Sequence, residues 1–332
     1  MNPLFFALLR SGLWERPLTD SELAAAATLG EAEWAAFVEI ARRQTVSGLL
    51  YRAITHLPAN FRIPGDIVLG LMSVAGGLAR ENQAKATVTK QLFDECAAAG
   101  LHPVVMKGQS VAAYYAHPEL RSSGDIDLYF PQEEYPQALS LLGGEVAPDG
   151  TRHIRRSGID IDIHDRYFDL HCAPDKLPAV GTPEATILLL SSHILKHAIG
   201  PGIGLRQCCD LAAAWHALAP SIDTASLREV FRRTGTYRWN RLLFSFLADC
   251  LDLPDSPFPD ERVESEPLLR IVLEGGNFGH HAKARTDALQ ADDRRRKRNT
   301  FSRFLRRLPF SLRYAPRETI ATIFSLLRGN LK

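Results

Sequence analysis

The chain has no long hydrophobic run, no excess of one charge and no cysteine framework, and each absence removes a class of function. Its first apolar stretch, Leu4 to Leu9, ends at Arg10 with no basic region before it. That is too short for a membrane span and unlike a signal peptide, so a short amphipathic helix is the expectation. A net charge of +1 over 332 residues supplies no global field for nucleic acid, and any basic partner surface has to be local. Cys96, Cys172, Cys208, Cys209 and Cys250 form an odd set without Cys-x-x-Cys. This speaks against a disulfide scaffold and for reduced thiols in a cytoplasm. No Gly-x-x-x-x-Gly-Lys-Ser/Thr occurs, which lowers a P-loop reading. The glycines at 200, 202 and 204 follow a helical pattern and lack a partner at 205, so a helix–helix turn explains them better than a dinucleotide fingerprint. Internal repeats and low-complexity tracts are also missing.

What is present is 45% hydrophobic content, enough for a sizeable core, arranged as helical patterns around a short strand-like centre. Residues 1–100 read as a helical region. Thr19 and Glu22 start one helix, Trp34, Phe37, Val38 and Ala41 share a face of another, and Asp66 to Ala99 forms a long helix closed by Gly100. Residues 101–170 read as an α/β core, and residues 171–332 as helical again, with helices over 184–198, 206–218, 225–233 and 238–251. The expected fold is α+β, a small mixed sheet flanked by helical regions.

The chemistry concentrates between Lys107 and His164. Asp125-Ile126-Asp127 puts two carboxylates on one face of a strand, because side chains alternate with period two. Such a pair grips hard cations, and magnesium usually arrives carrying phosphates, so a metal-bound nucleoside triphosphate is the ligand suggested. Upstream, the apolar run His102 to Met106 breaks at Lys107-Gly108 before a helix-like segment, where Gly108 permits close approach to phosphate. Downstream, Ser157-Gly158 turns a hairpin whose second strand alternates Ile159, Ile161 and Ile163 against Asp160, Asp162 and His164. The isoleucines face a core; the acids face solvent or the metal site.

The stretch from Val104 to His164 resembles the nucleotidyltransferase superfamily typified by DNA polymerase beta. Met106-Lys107-Gly108, Tyr115, Arg121, Gly124-Asp125-Ile126-Asp127-Leu128 and Asp162-Ile163-His164 resemble a bacterial family usually called uncharacterised nucleotidyltransferases. His193, His197, Arg206, Asp210-Leu211 and Gly276-Asn277-Phe278-Gly279 are similar more weakly. One departure is Gly108-Gln109 where the superfamily has Gly-Ser or Gly-Gly, with Ser110 arriving one residue later. The resemblance implies transfer of a nucleoside monophosphate from a triphosphate to an acceptor hydroxyl, with release of pyrophosphate. In that reading Asp125, Asp127 and Asp162 hold Mg²⁺ or Mn²⁺, with Asp162 favoured over Asp160 as third acid. Lys107, Gly108, Ser110 and Arg121 meet phosphate, and Asp160, His164, His193, His197 and Arg206 are accessory candidates. The alternatives are a phosphotransferase or hydrolase using the same clamp, and a non-catalytic nucleotide-binding regulator.

Two features stand apart. His193 and His197 share a helix face, but no glutamate follows His193 as in zinc proteases, so core or phosphate-contacting roles are preferred to zinc binding. The basic stretch 294–317 carries Phe301, Phe304, Leu305 and Leu308 as an apolar stripe. Docking on the protein is the expectation, ahead of contact with nucleic acid or anionic lipid. The acceptor itself, whether small molecule, peptide, protein or RNA, leaves no motif.

Overall fold

Local signals set most element boundaries. The computed structural model describes residues 2–146, 151–200, 202–276 and 293–327, the side chains of 275, 293–303 and 325–327 excepted. Helix α1 (Pro3–Trp14) is capped by Asn2, and α2 (Asp20–Ala26) by the reciprocal Thr19–Glu22 box. Helix α3 (Glu31–Arg43) buries Trp34, Phe37 and Ala41, and α4 (Ser47–Thr55) follows. All six residues from Leu4 to Leu9 are buried. Thus α1 is a core helix instead of the expected amphipathic one, because α2, α4 and the helix over 237–251 pack around it. Helix α5 (Gly65–Ala98) runs 34 residues, and Gly100 turns the chain away from it at φ +71.

The sheet follows. Strands β1 (Val104–Val105), β2 (Ile126–Tyr129), β3 (Glu145–Val146), β4 (Arg152–Arg156) and β5 (Ile159–His164) lie in the order β1-β2-β5-β4-β3. Only β2 and β5 are parallel. Helix α6 (Gln109–Ala112) lies between β1 and β2, and α7 (Tyr135–Leu142) between β2 and β3. Ser157 at φ +51 and Gly158 at φ +79 make the two-residue turn between β4 and β5, in the left-handed region that such hairpins require. Ile126, Leu128, Ile161 and Ile163 pack one sheet face against Val88, Leu92 and Cys96 of α5 and Ala138 and Leu142 of α7. Alternation then delivers residues 127, 129, 160, 162 and 164 to the other face.

Helices α8 (Pro183–Ile199), α9 (Leu205–Leu218), α10 (Thr224–Thr234), α11 (Tyr237–Leu251), α12 (Glu266–Gly275), α13 (Asp293–Tyr314) and α14 (Pro316–Leu327) complete the described chain. The fold is thus α+β, with a five-stranded mixed sheet and helices at both ends. Phe304 is buried, Leu308 half-buried and Leu305 exposed, so α13 docks through part of its stripe. Arg307 donates to the carbonyls of Ala198 and Gly200, both at 2.9 Å, closing the C-terminal end of α8. The side chains of Arg294, Arg295, Arg296, Arg298 and Phe301, and the motif residues Asn277, Phe278 and Gly279, lie outside the described residues.

One core spans both ends of the chain, joining α1, α3 and α4 to α8, α9, α11 and α12. Buried Gln44, just after α3, stitches them together. Its Oε1 accepts from the Leu205 amide at 2.9 Å, its carbonyl from the Arg206 amide at 3.3 Å, and its Nε2 donates to the Val272 carbonyl at 3.1 Å. Among the described residues, no helix is long and apolar enough to cross a membrane.

Candidate active site

The parallel register of β2 and β5 pairs Asp127 with Asp162 directly. Both point away from the isoleucine face, into a cleft of about 1040 Å³. Ligand atoms from Asp127, Asp162 and His164 all lie within 4.8 Å of one another. Among the described residues this is the one such cluster of three or more potential metal ligands. Two carboxylates and an imidazole suit Mg²⁺ or Mn²⁺, the nitrogen favouring the softer of the two.

The acids are held in different electrostatic states. Asp127 is buried, a condition that opposes its charge, but Lys107 Nζ at 3.1 Å and His164 Nε2 at 2.9 Å prevail and lower its pKa. Burial also opposes the charge on Lys107, yet Asp127 prevails and raises its pKa. Asp162 goes the other way: burial and then the neighbouring Asp125 charge raise its pKa, against a hydrogen bond from His153. A carboxylate with raised proton affinity is the better base of the two.

Asp125 precedes β2, is exposed, and lines the cleft outside the three-residue cluster. The turn that presents it is fixed from two sides. From α5, Asn82 Nδ2 donates to the carbonyls of Glu119 and Arg121 at 2.7 and 2.8 Å, and buried Lys85 donates to the Ser123 carbonyl at 2.7 Å. From α9, Arg206 donates to the Ser122 carbonyl at 3.1 Å. Asp210 takes two bonds from Arg121, both at 2.7 Å, and one from the Tyr115 hydroxyl at 2.8 Å. Helix α4 presses from behind, so close that a Cβ on Gly48 would lie 2.0 Å from the Leu120 carbonyl oxygen. Gly108 itself adopts φ +70, ψ −107, a conformation glycine alone reaches easily, beside the backbone of Asp125.

The residues singled out from the sequence separate into two groups. Lys107, Gly108, Arg121, Asp125, Asp127, Asp162, His164, His193, His197 and Arg206 all line the cleft. Ser110 does not, and α6, at four residues, is too short for a strong helix dipole. Asp160 does not line the cleft; it pairs across the hairpin with Arg155 at 3.3 Å and lines an adjoining depression that shares Gly124, Asp125 and Asp162 with it. Burial, followed by nearby cations, lowers the pKa of His193 strongly and pushes that of His197 to about 3, leaving both rings neutral at pH 7. Their rings meet edge to face at 4.5 Å, and neither belongs to the metal-ligand cluster.

Sequence reasoning missed Asn82, Lys85, His153 and Asp169, and took Asp210 only as part of a resemblance. The hairpin register was the available signal for His153, which pairs with Asp162. Asn82 and Lys85 meet the site from a remote position in the chain, and Asp169, five residues after His164, has no motif of its own.

No curated protein and no solved structure matches the chain. The family described as uncharacterised nucleotidyltransferase matches residues 30–252, which include every side chain of the cleft and both helical layers that brace it. The chain belongs to this nucleotidyltransferase family.

Proposed function

We propose that the protein transfers a nucleoside monophosphate from a nucleoside triphosphate to an acceptor hydroxyl, releasing pyrophosphate. The observation that carries this is the β2–β5 register, which sets Asp127 beside Asp162 with His164 within 4.8 Å, in a cleft also lined by Lys107 and Arg206. Family membership supports an enzyme of this type with a triphosphate substrate. Asp127, Asp162 and His164 would hold Mg²⁺ or Mn²⁺, with Asp125 adding its carboxylate from the rim. When bound, the cation neutralises triphosphate charge and lowers the barrier to attack at phosphorus. Asp162, with its raised proton affinity, takes the acceptor proton as the acceptor oxygen bonds to the α-phosphorus. The bond from the α-phosphorus to its bridging oxygen breaks, and pyrophosphate carries away the electron pair. With a cation held by Asp127, Lys107 would be free to pair with a phosphate oxygen in place of that acid. Five free cysteines, four of them buried, fit a reducing compartment such as the cytoplasm.

The test is incubation of the purified protein with α-labelled triphosphates, Mg²⁺ or Mn²⁺ and a panel of hydroxyl acceptors, following pyrophosphate release and the fate of the label. Asp127→Asn is expected to abolish transfer. Asp162→Asn is expected to lower turnover roughly 10²-fold or more with little change in nucleotide affinity, as for loss of a general base. Asp160→Asn should be mild. Release of inorganic phosphate in place of pyrophosphate, or undiminished transfer by Asp127→Asn, would overturn the assignment.

A further inference from the structure

The cleft has two unlike walls. One is the sheet face with its acids. The other comes from the C-terminal helical layer and carries two cations, Lys196 in the last turn of α8 and Arg206 in the first turn of α9, with the neutral His197 between them in sequence. We infer that this second wall is the binding site for the β- and γ-phosphates of the nucleotide, in place of the Gly108 turn. The inference rests on the nucleotidyl-transfer reading for the identity of the ligand.

Three independent features of the structure support it. First, the Gly108 turn has no side chain to offer phosphate beyond Lys107. Gln109, where a short residue would stand in the superfamily pattern, turns its side chain to α5, accepting from the Thr89 hydroxyl at 2.7 Å and donating to the Asn82 carbonyl at 3.4 Å. Ser110 lies outside the cleft.

Second, the facing wall brings Lys196 and Arg206 into the same cleft as Lys107 and Arg121. Asp210 serves Arg121 and Tyr115, while Asp169 serves Lys196 at 2.9 Å. Burial and then the Arg121 charge still lower the pKa of Arg206, and the ammonium groups of Lys107 and Lys196 help hold His193 and His197 neutral. Cations grouped in this way favour a polyanion between them.

Third, Arg121, tied to α9 through Asp210 and so set at the edge of that wall, lines the cleft at 6% exposure, and its Nη1 has no hydrogen-bond partner among the described residues, although its other two nitrogens bind Asp210. A buried guanidinium nitrogen without a partner is costly, and a phosphate oxygen is a suitable acceptor.

The arrangement makes the C-terminal helices part of the active site. It also separates the duties of the two walls: the sheet handles the α-phosphorus and the acceptor, and the helices hold the leaving pyrophosphate.

Inorganic tripolyphosphate isolates this claim, since it has neither nucleoside nor transferable group. Calorimetric titration of the full chain is expected to show binding that weakens as salt rises. Lys196→Gln and Arg206→Gln should each lose roughly tenfold or more in affinity, the scale of one charge-assisted phosphate contact. Ser110→Ala and Gln109→Ala should stay within about twofold, the scale of a lost surface contact. Arg206 also braces the Ser122 carbonyl, so melting temperatures are measured alongside; if Arg206→Gln does not fold, Lys196→Gln, whose side chain is 56% exposed, decides alone. No tripolyphosphate binding by the wild type, or loss confined to Ser110→Ala and Gln109→Ala, overturns the inference. If the wall variants bind tripolyphosphate normally while nucleotidyl transfer proceeds, the wall is wrong and the function stands. Wall-dependent tripolyphosphate binding without transfer means the reverse: the wall stands and the function falls.

Discussion

If Asp127 holds a divalent cation as proposed, Lys107 would compete with it for that carboxylate, since its ammonium sits 3.1 Å from Asp127. Lys107→Met removes that competitor and also a cation from the nucleotide's path, so its two effects should have opposite sign. Mn²⁺ affinity without nucleotide is expected to rise several-fold to roughly tenfold, and affinity for a triphosphate to fall by a similar factor, as for one charge at close range in a partly shielded site. Mn²⁺ titration followed by electron paramagnetic resonance checks the first, and competition with a fluorescent nucleotide the second; a change of the same sign in both would refute the exchange. Lys85 acts on the other acid through the backbone, with its side chain 3% exposed and bonded to Glu81 and to the carbonyl and hydroxyl of Ser123. Lys85→Met leaves the Ser123 carbonyl without that donor and should cost about 1–3 kcal/mol. A melting temperature equal to wild type would show that the turn does not depend on it. Asp127 was legible in the sequence because alternation fixes its face. Lys85 was not: a lysine amid polar helical residues reads as solvated, and nothing local says that a turn 38 residues away closes over it.

Caps and hydrophobic periods marked most helices, and the Ser157-Gly158 turn marked the hairpin, because each is decided within a few residues. Strands β1 and β3 are two residues each and carry no period of their own; pairing with β2 and β4 alone defines them. The third acid shows the same limit, since alternation allowed Asp160 or Asp162 and only the inter-strand register brought Asp162 to Asp127. Helix α14 is held to the loop after β5 by Glu318, which accepts from the His171 amide at 2.9 Å and pairs with its imidazole at 2.7 Å. The hydrogen bond to Glu318 raises the His171 pKa above its ordinary 6.5. Its stabilising contribution is therefore complete below about pH 6.5 and fades as pH rises through the elevated folded value. The melting temperature of the wild type should fall with pH over that interval more than that of His171→Gln. Identical pH profiles would show that the pair does not couple to folding; because His171 is half exposed, the difference should be modest.

At the scale of the whole chain, the helical ends enclose the site jointly instead of forming separate lobes around it. Residues 3–55 contribute Leu8, Trp34, Leu50 and Ala53 to the same core as Leu188, Trp215 and Leu247. Deleting them would expose that core and unbrace Leu120 behind Gly48. A chain starting at residue 60 is therefore expected to lose cooperative thermal unfolding and to be digested rapidly by protease; a cooperative melt would show that the remainder folds alone. The helical character of both ends was readable from composition, but their common core was not, since it rests on pairings such as Gln44 with Leu205 across 161 residues. That one glutamine also sets a clock. At about 5–20 residues per second, the ribosome delivers Leu205 roughly ten to thirty seconds after Gln44. Through that interval α1, α3 and α4 can pack on one another and on α5, but the apolar surface that α9, α11 and α12 will cover stays open. Arg121, too, emerges well before the Asp210 that will neutralise it in the interior. Synthesis order thus makes the turn carrying Asp125 among the last parts to settle, so a nascent chain has the acids of the cleft long before it can use them, and chaperone dependence should trace to the first four helices.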